Sequence, residues 1–165
     1  MTAHSRRSFL RGRFDEAPKM RPFGAVAPAQ FADLCTSCGD CISACPEAIL
    51  ISGERGLPEI GPALGACSFC GVCIAACDTG ALTDDQPWLW KATAKSTCLS
   101  LNAVQCRTCQ DHCDHGAIRF QLQTGGCAQP HIDTDLCTGC GGCAAACPVG
   151  AIQFTQVTPQ METRP

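Results

Sequence analysis

Sixteen of the seventeen cysteines fall into four runs, and sulfur at their spacing is metal-binding chemistry. Cys35, Cys38, Cys41 and Cys45 are followed by Pro46, and Cys137, Cys140, Cys143 and Cys147 by Pro148. Both read Cys-x2-Cys-x2-Cys-x3-Cys-Pro. Three thiolates so spaced wrap one cubane [4Fe–4S] cluster, while the fourth serves the other cluster of a pair. Cys67, Cys70, Cys73 and Cys77 keep the spacing, with Asp78 in place of proline. The third run is irregular: Cys98, then Cys106, Cys109 and Cys113, with a longer loop after its first member. A cube tolerates this, because ligands must meet in space and not in sequence. The four runs therefore predict three regular [4Fe–4S] sites and a fourth at the irregular run, the alternative there being a labile site or a different metal.

Two other uses of cysteine fit less well. Zinc ribbons also employ Cys-x2-Cys pairs, but a ribbon needs two cysteines per knuckle and would leave half of each run idle. Cysteine at about a tenth of the chain suggests a disulfide scaffold by composition alone. The odd count leaves one thiol over, and sulfurs three residues apart point at one spot rather than bridging distant strands. Cys127 lies outside every run and reads as a non-ligand thiol. His112 and His115 flank Cys113 and read as exposed loop residues.

The elements that must position these sulfurs repeat. Each run is followed by a similar tail: Cys45-Pro-Glu-Ala-Ile49, Cys77-Asp-Thr-Gly-Ala-Leu82, Cys113-Asp-His-Gly-Ala-Ile118 and Cys147-Pro-Val-Gly-Ala-Ile152. Helix formers such as Ala75-Ala76 and Ala144-Ala145-Ala146 precede the fourth cysteine, and proline after it ends the helix. Gly116 and Gly150 then allow the tight turn into a short strand. The gaps from Cys45 to Cys67 and from Cys113 to Cys137 suit strand, turn, strand. The fold class expected is α+β: two tandem bicluster ferredoxin-like modules of short antiparallel strands and short helices, with little regular secondary structure. Residues 31–83 hold runs one and two, and residues 94–155 hold runs three and four. Residues 1–30 read as a basic flexible tail, 84–97 as a connector in which Trp88 and Trp90 pack between the halves, and 156–165 as a C-terminal tail.

Pairing the runs gives crosswise sets. One cube takes Cys35, Cys38, Cys41 and Cys77, and its partner Cys67, Cys70, Cys73 and Cys45. In the second half the sets are Cys137, Cys140, Cys143 with Cys113, and Cys98, Cys106, Cys109 with Cys147. Units of about fifty residues cannot build a sufficient apolar core, so metal binding must supply folding free energy.

Charge is uneven. Residues 1–22 carry six of the twelve basic residues against Asp15 and Glu16, leaving six basic against thirteen acidic residues elsewhere. An acidic body with few aromatics does not fit a nucleic-acid binder. No stretch approaches eighteen apolar residues, so no transmembrane segment is expected. Nothing assembles a nucleophile with a base, and no Gly-rich phosphate loop precedes a helix, so no enzyme is expected.

Ser5-Arg6-Arg7-Ser8-Phe9-Leu10-Arg11 is similar to a twin-arginine export motif, but a charged, proline-broken stretch follows it where an apolar region is required. The expected location is therefore the cytoplasm. That start, with Cys67-Ser-Phe-Cys70 and the irregular third run, resembles the NapF family of ferredoxin-type proteins of the periplasmic nitrate reductase system, from Ser5 to Phe154. The resemblance implies an accessory protein that helps mature the catalytic subunit of that reductase before export, by cluster assembly or electron supply. Arg6 and Arg7 are the candidate contacts to this partner. The alternative is an electron-transfer polyferredoxin subunit of an anaerobic respiratory or dehydrogenase complex, working with a redox protein partner.

Overall fold

The computed structural model describes residues 18–124 and 127–157. Helices among the described residues are short, and four of the five lie within a cysteine run. They are α1 (Pro28–Leu34), α2 (Asp40–Ala44), α3 (Val72–Ala75), α4 (Thr108–Asp111) and α5 (Gly142–Ala145). In three runs a left-handed glycine stands immediately before the helix: Gly39 (φ 86°), Gly71 (φ 75°) and Gly141 (φ 104°). Side chains other than glycine are strained there, and the sharp reversal turns the cysteine loop into the helix. The third run begins its helix from Arg107 at φ −131°, so its irregular loop enters by another route. Cys45, ahead of Pro46, is extended at φ −72°, ψ 113°, the conformation that a following proline favours.

Among the described residues six strands form three two-stranded antiparallel sheets. β1 (Leu50–Ser52) pairs with β2 (Pro58–Ile60), and β4 (Ile118–Leu122) with β5 (Ala128–Ile132). These are the strand–turn–strand units expected in the two gaps. Pro58 and Pro130 are compatible with them, because every strand here is an edge. The third sheet is long-range: β3 (Trp90–Ala94) pairs with β6 (Ile152–Gln156), Ala92 opposite Phe154. Residues 84–97 therefore contain a strand of the second half as well as a link. The first half has a smaller counterpart, a bridge between Ala25 and Leu82, with Val26 N–H donating to Ala81 C=O and Thr83 N–H to Gly24 C=O.

Much of that counterpart lies in the segment read as tail. Met20, Pro22 and Val26 are buried, and Ile60 N–H donates to Met20 C=O. Arg21 donates to Pro58 C=O, stands 3.6 Å from Glu59 and lies over the Phe31 ring. From Met20 to Val26 the segment is buried or half-buried. Two small apolar clusters result. Phe31, Ile49, Leu50, Ile60 and Leu82 centre the first, and Ala92, Ala117, Ile118 and Ile152 the second. Trp90, on a strand of the second half, is buried in the first cluster, and Phe154 touches both.

Candidate metal centres

The sixteen run cysteines line four cavities, four sulfurs to each. The first is walled by Cys35, Cys38, Cys41 and Cys77, the second by Cys67, Cys70, Cys73 and Cys45. Cys137, Cys140, Cys143 and Cys113 surround the third, and Cys98, Cys106, Cys109 and Cys147 the fourth. Counting space open to solvent, the volumes are about 340, 360, 320 and 330 Å³ in that order. The irregular run thus makes a cavity of the same size as the regular ones. Each cavity takes three cysteines from one run and the fourth of its neighbour. The helices produce this exchange: Cys41 and Cys45 face different cavities from α2 and its cap, as do Cys143 and Cys147 from α5 and the residues after it.

All seventeen cysteines are free thiols. Among the described residues no three of His, Cys, Asp and Glu converge as ligands of a single ion would. The sulfurs instead stand around a space, which suits a polynuclear group better than zinc.

Electrostatics follow from crowding. Burial first, then the neighbouring thiols of the same cavity, push Cys73 and Cys109 up to about 11 and Cys143 up to about 12. Cys41 and Cys67 are raised for the same reasons. Cys70 is lowered, chiefly by the Val72 N–H and the Ser68 hydroxyl. Burial also pushes Cys77 upward, but the Thr79 hydroxyl and the N–H groups of Leu82, Thr79 and Ala81 outweigh it. Four such thiols are held together as thiolates only by positive charge at the centre, which metal supplies.

Donors aimed at sulfur complete the fit. Thr79 Oγ1 lies 3.5 Å from Cys77 Sγ and Thr108 Oγ1 3.6 Å from Cys106 Sγ, while Ala151 N–H donates to Cys147 Sγ at 3.2 Å. Thr138 Oγ1 lines the third cavity, buried and without a hydrogen-bond partner among the described residues. A cluster there would offer anionic sulfur to that hydroxyl. These threonines escaped the sequence reading, although Cys-x-Thr at Cys77 and Cys106 is a visible signal.

The remaining candidates are placed as follows. Arg6 and Arg7 lie outside the described residues. His112 and His115 are exposed at the rim of the third cavity, where His112 Nδ1 meets Thr108 C=O. Cys127 is half-buried and lines a separate opening beside Cys106 and Arg107. Trp88 stacks edge-on with Phe23 and Phe69, the latter in the loop between Cys67 and Cys70.

Comparison with known proteins points to [4Fe–4S] clusters as well. A family model described as a 4Fe-4S dicluster domain matches residues 34–82, and one described as a 4Fe-4S binding domain matches residues 130–153. The chain is 44% identical to a ferredoxin-type protein NapF of Haemophilus influenzae, covering 92% of this chain and 94% of that one. It is 39% identical to the ferredoxin-type protein NapF of Escherichia coli, over 90% and 92% of the two chains. Similarity extends to the ferredoxin-type protein NapG of Escherichia coli, 32% identical over 78% of this chain and 66% of that one.

Proposed function

The chain belongs to the NapF family of ferredoxin-type proteins, and from that premise we propose an electron-carrying accessory protein with four [4Fe–4S] clusters, acting on the catalytic subunit of periplasmic nitrate reductase before its export. The observation that carries the four-cluster reading is the closure of four four-sulfur cavities by exchange of the fourth cysteine between neighbouring runs, while the relatives named NapF support the link to the nitrate reductase system. Each half is then a bicluster module, and all sixteen run cysteines are ligands. A bound cluster takes up and releases one electron. The protein supplies thiolates in fixed positions, hydroxyl and amide donors that set the potential, and small apolar walls that limit water.

Such cavities suit the holding of clusters better than turnover of a substrate, so the protein is a carrier and not an enzyme. No helix among the described residues is long and apolar enough to cross a membrane. We place the protein in the cytoplasm, where an unexported catalytic subunit is available to it. Arg6 and Arg7 supply positive charge for an acidic face of that subunit.

The test begins with anaerobic purification, expected to give about sixteen iron and sixteen sulfide per chain. The catalytic subunit is then assembled with and without this protein, and nitrate reduction is measured after the protein has been removed. Activity that depends on its presence only during assembly supports maturation. A requirement for it throughout turnover would overturn maturation and make it a subunit of a working electron chain. Arg6→Ala with Arg7→Ala should weaken capture of the purified catalytic subunit. These substitutions are preferable to truncation through residue 22, which would cut into the packed core.

A further inference from the structure

The two halves meet along a seam that brings the second and third cavities together. Cys67 N–H donates to Cys140 C=O at 2.7 Å, a backbone bond between a second-cavity cysteine and a third-cavity cysteine. Small residues allow this approach. A Cβ on Gly141 would stand 3.0 Å from the Gly65 carbonyl oxygen, and one on Gly142 would stand 3.6 Å from Ala66 Cβ. Trp88 lies over the same junction. Its ring contacts Phe69 at 5.8 Å, and its indole nitrogen would meet a Cβ on Gly139, in the third-cavity loop, at 3.0 Å. Within each half, cysteines one helical turn apart already link neighbouring cavities. Adding the seam places the four in one row: first, second, third, fourth.

We propose that this seam is an electron crossing, so that the chain conducts along one continuous row of four sites and not within two separate pairs. This inference rests on the four-cluster reading above. With clusters held by Cys67 and Cys140 and the other cysteines of their cavities, one electron would pass from the reduced side of the seam to the oxidised side, with no bond changed and no proton moved. A low-potential one-electron donor reaches the row at Cys38 or Cys70, the two exposed run cysteines. A one-electron acceptor takes the electron at the far half, where Cys106 borders an open cavity. Lys91, on β3, donates to Cys137 C=O at 2.5 Å and places positive charge beside the third site, favouring an electron that has crossed.

The test uses full-length, fully loaded protein. Ala66→Leu and Gly142→Val each wedge the seam without replacing a ligand. Iron and sulfide are counted first, and a low count defeats the four-cluster reading and not the crossing. With the count intact, multifrequency EPR of the dithionite-reduced protein should show spin coupling across the halves, lost in the wedge variants while coupling within each half persists. Redistribution of a substoichiometric reducing pulse, followed by rapid-freeze EPR, should slow by about an order of magnitude in the variants. Unchanged coupling and unchanged redistribution in a loaded wedge variant would overturn the proposal. If neither variant loads, the unsubstituted protein decides alone: a spectrum equal to two independent pairs overturns the crossing, and cross-half coupling sustains it.

Discussion

At the scale of single residues, exchange of the fourth cysteine has a counterintuitive consequence. Cys45→Ala should empty the site beside Cys67 and spare that of its own run, lowering iron and sulfide by about a quarter. Mutants whose surviving EPR signal belongs to the Cys67 site would contradict the exchange. The hydroxyls make a separate prediction. Thr79 Oγ1 and Thr108 Oγ1 approach cysteine sulfurs, and a hydrogen bond to sulfur favours the more negative reduced cluster. Thr79→Val should therefore lower the potential of the first site. A bond worth about 1 kcal/mol corresponds to roughly 40 mV for one electron, readable by EPR redox titration. An unmoved or raised potential would show that the hydroxyl does not tune the site. The cysteines were legible because their chemistry resides in residue type and interval. The threonines were not, since a threonine two places after a cysteine also suits an ordinary turn.

At the scale of elements, the local pieces were readable and the long-range pairings were not. Helices between third and fourth cysteines, and the hairpin strands after Cys45 and Cys113, follow from propensity and turn residues within a few positions. β3 follows from neither. Its sequence Trp90-Lys-Ala-Thr-Ala94 has modest strand preference, and its partner β6 lies some sixty residues away. The packed segment from Met20 to Val26 was similarly hidden, because its short apolar stretch has no strand periodicity and follows basic residues, while its pairing is with residues 81–83. The physical consequence is testable. Deletion through residue 22 removes Met20 and Pro22 from the core and Arg21 from Glu59 and Phe31. It should lower the melting temperature of the loaded protein, whereas Arg6→Ala with Arg7→Ala should not. Phe31→Ala, at a position 1% exposed in the first apolar cluster, should cost about 3–5 kcal/mol. Bleaching of the cluster absorbance on heating reports both, and equal bleaching temperatures across the set would refute this account of the N-terminal segment.

At the scale of the whole molecule, the question is what holds so little regular structure together. Among the described residues the largest fully buried side chains are Phe31, Ile49 and Pro22. Two such small clusters cannot offset the conformational entropy of ordering the chain, so metal binding has to contribute to folding. The same thiols set how that contribution varies with pH. With Cys73, Cys109 and Cys143 pushed up to about 11, 11 and 12, these three thiols are protonated near neutrality when no metal is bound. Loading must then expel those protons, and mass action makes loading less favourable as pH falls. Reconstitution with iron and sulfide should accordingly be more complete at about pH 8 than at about pH 6, with proton release detectable in weakly buffered solution. Removing iron with a chelator under reducing conditions should abolish protection of backbone amides against hydrogen exchange in both halves, and restoring iron and sulfide should recover it. Protection that survives complete loss of iron would mean that the apolar clusters suffice, and folding would have to be explained without the metal.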